Sequence, residues 1–309
     1  MNRRLAIATL IFINILWGSS YAVSKVALLE IPPTLLGAAR WTTATVILWL
    51  IHGWQRWHAG QSRDAAVRAV LKPVAQRDRV RLLALGAFGI GLAYVIDYIG
   101  INLTTATDAS LMIIGEVIFT SLLATLITHD PLGRTKIVGM VTGALGVLIL
   151  VLGHITESNS GDRGWLRAFG DLLILITLAL QAVYTVLGTD LARKYPPLTV
   201  LTYVCTGSIV VWVPMVSWHL AAGTMPTALS LKAIGAVLYL AVVTSVFCNA
   251  VWFAISSRIG AGVSAISLFA QPLVGSFLGL VLLGEPFTPT LLIGALLIFT
   301  ALYLTTVER

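Results

Sequence analysis

Two carboxyl groups sit where carboxyl groups are rare. Glu116 lies within the apolar run 109–127 and Asp97 within the apolar run 82–101, each about the length that crosses a bilayer. A charged side chain at the centre of a membrane costs about 3 kcal/mol or more. Such residues therefore face a protein interior or a wet cavity, and they mark paths for protons, ions or polar solutes. Three readings of Glu116 stand side by side. It is a carrier that takes up and releases protons near neutral pH, a partner for a cationic substrate amine, or a buried carboxyl hydrogen-bonded to Tyr or Ser with a structural task. Asp97 has the same three.

Positions three and four apart share one face of a helix. On that spacing Asn14, Trp17, Tyr21 and Ser24 form a stripe, and Tyr94, Asp97 and Tyr98 form another. Met112, Glu116 and Thr120 line up, as do Gln181 and Tyr184. Ser245, Asn249, Trp252 and Ser256 make a fifth stripe, and Ser264, Ser267 and Gln271 a sixth. Taken singly, each Ser, Thr, Asn or Gln reads equally as glue between helices, and each aromatic as core. Turned to a common axis, the stripes would wall a cavity with aromatic faces and a few hydrogen-bonding points, the usual make-up of a small-molecule site. The substrate contacts expected on that reading are Asn14, Trp17, Tyr21, Tyr94, Asp97, Glu116, Gln181, Tyr184, Asn249, Trp252 and Gln271, with Glu116 also coupling to protons. Lys25 and Arg40 stand near the ends of their runs, where long stems snorkel to the interface. Arg40 lies two turns in, and a guanidinium there can also hold a carboxylate bidentately.

These stripes need helices to carry them. Hydrophobic residues are 58% of 309 and charged residues 11%, which excludes a soluble domain of ordinary composition. Ten apolar runs reach spanning length: 5–24, 34–52, 82–101, 108–128, 135–153, 169–189, 198–219, 231–255, 262–283 and 288–306. Lipid admits only helices or closed barrels, and these runs are too long and continuous for barrel strands. The first run, after Arg3 and Arg4, lacks a small-x-small cleavage pattern and is expected to stay as a span. The expected fold is all-α, a polytopic membrane protein of ten transmembrane helices.

An even number of spans puts both ends on one side. If that side is cytoplasmic, fifteen Lys and Arg fall in inner segments, seven of them in the long loop 52–81. Only Arg163, Arg167 and Lys232 then fall outside. The positive-inside rule selects that topology and accounts for the net charge of +7 without nucleic acid. Trp49, Trp54, Trp57 and Trp218 lie near span ends and suit an interfacial belt. Gly139, Gly143, Gly146, Gly275 and Gly279 suit close helix approach, and Pro272 is expected to kink the ninth span. Cys205 and Cys248 read as buried thiols. No G-x-x-x-x-G-K run, H-E-x-x-H motif or cysteine cluster occurs, so no nucleotide, metal or other cofactor is expected. All five histidines are placed at run ends or in loops, which speaks against an integral-membrane lipid-modifying enzyme, the main rival reading. A channel would need a filter loop, and none is visible.

The halves resemble each other. Pro32-Pro33 follows the first run and Pro196-Pro197 the sixth, with Tyr21 and Tyr184 ahead of them. A shift of 155 pairs Asp130-Pro131 with Glu285-Pro286, Gly139 with Gly294 and Glu116 with Gln271. Five spans per half turn the second half upside down relative to the first, a common transporter plan with the substrate held near the midplane. The expected units are residues 1–156 and 169–309, joined by an extracytoplasmic linker at 157–168.

The run Leu16-Trp17-Gly18-Ser19-Ser20-Tyr21-Ala22-Val23-Ser24-Lys25, then Pro32-Pro33 and Arg40, resembles the first-span signature of the drug/metabolite transporter superfamily, EamA-type branch. Gly284-Glu285-Pro286 ahead of a last span containing Gly294 resembles it too. Val117 stands where that family often carries the proline seen here at Pro272. The resemblance implies ten spans in two repeats and secondary transport of small metabolites. The expectation is an inner-membrane exporter of small polar or amphiphilic metabolites, amino acids or related compounds, working by alternating access with possible proton coupling. Its partners are a small-molecule substrate and the lipid bilayer, and it works as a monomer or weak homo-oligomer.

Overall fold

A computed structural model describes residues 3–61, 73–128, 133–157, 161–259, 264, 267–268 and 270–307. Among the described residues there is helix and no strand. In chain order the helices are α1 (Arg3–Leu28), α2 (Pro33–Gln61), α3 (Gln76–Leu103), α4 (Ala106–Leu111), α5 (Ile114–Thr128), α6 (Arg134–Glu157), α7 (Gly161–Lys194) and α8 (Pro197–Ala221). Then come α9, built from Leu231–Leu238, Tyr239–Phe247 and Cys248–Ile259, α10 (Ala270–Leu282) and α11 (Pro289–Val307).

Among the described residues, eight stretches are able by length and composition to cross a membrane: α1, α2, α3, α4 with the start of α5, α6, α7, α8 and α9. Two shorter apolar helices follow, Ala270–Leu282 and Pro289–Leu304. The chain is a polytopic helical membrane protein. Large apolar side chains such as Leu50, Leu126, Val210 and Leu282 are outward-facing, which in lipid carries no penalty.

Helix starts follow local chemistry. Pro33 and Pro197 open α2 and α8, where a missing N–H costs nothing. Thr105 caps α4 by accepting from the Asp108 amide at 3.0 Å, and Ser230 caps α9 by accepting from the Ala233 amide at 3.1 Å. α7 begins at Gly161, so the expected linker 157–168 has a helical second half, and residues 158–160 lie outside the described residues. Residues 62–72 of the long loop 52–81 lie outside them as well.

Four departures from regular α-helix matter for the site. α3 contains a π-helical segment, Gly86–Leu92, and α9 contains another, Tyr239–Phe247. Such widened turns recur at functional sites. The fourth expected span is broken at residues 112–113, between α4 and α5. In the ninth, a 3₁₀ turn at residues 267–268 precedes α10. Pro272 therefore lies in the first turn of α10 and not mid-helix, so the expected kink is replaced by a helix start.

Packing follows a reciprocal scheme. α6 lies along α11, and α2 along α8. α3 packs on α7, and α9 on α1; α1 packs on α10, and α7 on α5; α8 packs on α3, and α2 on α9. Small residues permit the tightest of these approaches. A Cβ on Gly86 would collide with the Val204 carbonyl, and one on Gly207 with the Leu83 carbonyl, so α3 and α8 touch backbone to backbone. α6 meets α11 in the same manner, with Gly146 against the Gly294 carbonyl.

Candidate functional site

The stripes converge. A narrow hollow of about 70 Å³ lies among α1, α2, α3, α5, α7, α9 and α10. Trp17 and Tyr21 come from α1, Tyr94 and Asp97 from α3, and Glu116 from α5. Gln181 and Tyr184 come from α7, Asn249 and Trp252 from α9, and Gln271 from α10. Ten of the eleven expected contacts thus border one cavity.

The eleventh, Asn14, is fully buried behind it. Its amide Nδ2 donates to Ser267 Oγ and to the Leu10 carbonyl, each at 2.8 Å, and its Oδ1 accepts from Gln271 Nε2 at 2.7 Å. Asn14 holds Gln271 in place and stands one layer back from the wall, contrary to the contact expected of it. Gly18 permits this junction, since a Cβ there would lie 2.6 Å from the Gln271 carbonyl. Thr120 and Ser256, also on the expected stripes, are buried away from the hollow.

The aromatic wall is built from tilted pairs. Trp17 and Trp252 have ring centroids 5.5 Å apart, and Tyr94 lies 4.8 Å from Trp41 and 6.0 Å from Tyr98. Trp17 Nε1 donates to the Thr244 carbonyl at 2.9 Å. Asn249 Nδ2 donates to the carbonyls of Thr244 and Ser245, at 3.1 and 3.0 Å, and Tyr184 donates to Asn249 Oδ1 at 3.4 Å. Thr244 and Ser245 belong to the π segment of α9, so the widened turn feeds its carbonyls to wall residues.

Other polar groups are uncommitted. Tyr21, Tyr94, Asp97 and Gln181 make no side-chain hydrogen bond to another described residue, although all four border the hollow. Glu116 accepts one weak bond, from Thr185 Oγ1 at 3.3 Å. Polar groups buried to this degree ordinarily have partners, so these are the ones a solute or its water is placed to meet.

Arg40 departs from the sequence reading. It does not snorkel: it is 3% exposed and borders the hollow. Nε donates to Ser245 Oγ at 2.7 Å, Nη1 to Tyr98 Oη at 2.9 Å and Nη2 to Thr244 Oγ1 at 3.0 Å. Lys25 is half-buried and reaches the Asn102 carbonyl at 3.5 Å. His52, expected at a span end, is buried within the longer α2 against Trp49. Ser20 and Thr185 also line the hollow without having been singled out. Thr185 was findable, being four residues after Gln181 on one helix face.

One end of the bundle is tied shut. Glu285, just before α11, accepts from the amides of Ala106 and Thr107 at 2.6 and 2.8 Å and from Thr107 Oγ1 at 2.6 Å. Arg167 pairs with Asp108 at 2.8 Å, and Thr104 donates to Asp171 at 2.6 Å. At the same end Glu30 accepts from the Ser230 amide and hydroxyl at 2.8 and 2.6 Å. Those two bonds draw the Glu30 carboxyl below its ordinary value. On the side of the hollow, Gly89 and Tyr184 also border a second, apolar cleft between α3 and α7.

The comparisons agree with this architecture. An uncharacterized transporter of Archaeoglobus fulgidus is 25% identical over 296 residues, covering 96% of this chain and 95% of that one. A probable amino-acid metabolite efflux pump of Salmonella typhimurium is 24% identical, covering 95% of this chain and 92% of its own. An S-adenosylmethionine/S-adenosylhomocysteine transporter of Chlamydia muridarum is 24% identical, covering 92% and 86%. A crystal structure superimposes with a TM-score of 0.64 at 17% identity, covering 99% of this chain and 97% of its own, and shows the fold alone. The relatives are named as transporters, and the lipid-modifying enzyme reading falls with them. The model of the EamA-like transporter family matches residues 4–152 and 168–307, and the chain belongs to that family.

Proposed function

We propose that this protein is a secondary transporter that exports small polar or amphiphilic metabolites, amino acids or related compounds, by alternating access through the central hollow. The observation that carries the reading is the gathering of ten separately expected polar and aromatic side chains, from six stretches of sequence, around one cavity. The helices that carry them expose large apolar side chains elsewhere, such as Phe12, Leu122 and Phe277, so the cavity is where a hydrated solute is accommodated.

The proposed frame is ten spans in two inverted five-helix repeats, 1–156 and 169–309, with both ends in the cytoplasm of a cell bounded by an inner membrane. Local irregularities support the repeat. Adding 155 to the break at residues 112–113 gives the 3₁₀ turn at residues 267–268. The same shift carries the π segment Gly86–Leu92 into Tyr239–Phe247. Exchanging α1 with α7, α2 with α8, α3 with α9, α5 with α10 and α6 with α11 maps the eight pairings named above onto one another. Pairs that exchange are the hardware of rocking between two states. In this frame the tied end is extracytoplasmic, and the conformation is closed to the outside. Glu116 is the proposed proton carrier, its carboxyl bordering the hollow with one weak partner, Thr185.

Reconstitution into proteoliposomes tests this. A panel of amino acids and related metabolites, run with and without a pH step across the membrane, is expected to reveal at least one solute moved by the protein. Retention of every solute at the rate of empty liposomes would refute the reading.

A further inference from the structure

We propose that Arg40 seats a carboxylate of the transported solute, so that a free carboxylate is a condition of recognition. The inference rests on the transport reading and narrows it. Arg40 is buried, yet each of its partners is a neutral hydroxyl: Ser245, Tyr98 and Thr244. Its guanidinium carbon lies 5.0 Å from the Trp41 ring centroid and 4.8 Å from that of Tyr94. Among the described residues no carboxylate oxygen comes within 4.0 Å of it, although Asp97 borders the same hollow. A guanidinium stays charged and carries five N–H donors, of which three are committed here. A buried cation with no carboxylate in contact is costly, and lowering that cost is a source of binding free energy for an anion.

The hydroxyl clamp also decides what kind of anion. It fixes the guanidinium from three sides, so little freedom is lost when a solute arrives. The two donors left over suit one planar carboxylate. Asp97 and Glu116 in the same hollow oppose a doubly charged phosphate ester, and they favour a solute that carries an amine as well. Thr244 and Ser245 stand in the π segment of α9, so the clamp is tied to a helix whose widened turn can tighten when the bundle rocks.

The test uses the purified full-length chain in detergent and matched probes in three side-chain sizes: alanine, leucine and phenylalanine. Each is compared with its methyl ester and with the amine lacking the carboxylate. Thermal unfolding is followed against probe concentration. At least one free acid is expected to stabilise the protein, with its ester and amine about a hundredfold weaker. Arg40→Lys is expected to keep part of the shift, and Arg40→Gln to lose it. The wild-type comparison of acid with ester needs no variant to fold. Equal stabilisation by ester, amine and acid, or by no free acid at all, would overturn the role of Arg40. Movement of the esters or amines into proteoliposomes would do so while leaving transport intact. Free acids that bind but are never moved would uphold the seat and sink the transport reading.

Discussion

Glu285 offers the clearest handle on the closed end. Its carboxylate takes three hydrogen bonds of 2.6 to 2.8 Å, two from the first amides of α4 and one from a threonine on the same turn. Glu285 is only half-buried, so water replaces part of what is lost when it goes. A charged cap of this kind is worth about 2 kcal/mol. Because the bonds join the turn before α11 to the start of α4, that free energy belongs to the closed state and is absent once the end opens. Glu285→Ala should therefore raise the open population about thirtyfold. The readout is a cysteine placed at Ser24, which is 1% exposed and borders the hollow. The background carries Cys205→Ala and Cys248→Ala. A membrane-impermeant maleimide added from outside intact cells should label Ser24→Cys about thirtyfold faster when Glu285 is Ala, and an intermediate amount faster when it is Gln. An unchanged rate would refute both the latch and the assignment of this end to the outside.

Other perturbations separate packing from function. Glu116→Gln should abolish the dependence of uptake on a pH step in proteoliposomes while leaving exchange of solute; persistence of the pH dependence would remove the proton role. Gly86→Ala should lower the thermal midpoint, by overpacking worth about 1–3 kcal/mol, because its Cβ meets the Val204 carbonyl, whereas Gly53→Ala, which meets open space, should not. Glu30 has a lowered folded-state pKa, from the Ser230 bonds. Its contribution is present above the ordinary carboxyl value and fades as pH falls through the lowered one. Stability of wild type and Glu30→Gln should therefore differ at neutral pH and converge as the pH falls below the ordinary carboxyl range; a constant gap would rule that out.

Much of the fold was legible because lipid imposes one rule, about twenty apolar residues per pass, and α1, α2, α6 and α8 follow it openly. Most of the wall was legible too, because Trp17, Tyr21, Tyr184 and Trp252 keep helical spacing. What spacing does not carry is depth and local winding. Asn14 shares a face with Trp17 but sits a turn away, where it meets Ser267 and Gln271. Arg40 was judged by its distance from a run's end, which says nothing of the hydroxyls that α3 and α9 bring to it. Two of them, Thr244 and Ser245, stand on a π segment, and a π turn leaves no mark in a pattern read at 3.6 residues per turn. The break at residues 112–113 has neither Gly nor Pro at it, so it was silent as well.

The central claim is that the aromatic-walled hollow is where the solute binds. It is tested most directly by the Michaelis constant for the solute the proteoliposome screen identifies, measured for wild type, Trp17→Ala, Tyr184→Ala and Trp218→Ala. Trp17 and Tyr184 border the hollow, and Trp218 is 71% exposed on the outer surface. The account predicts that the first two variants remain folded and bind about tenfold more weakly or worse, with Trp218→Ala unchanged. Equal constants for all four proteins would contradict it.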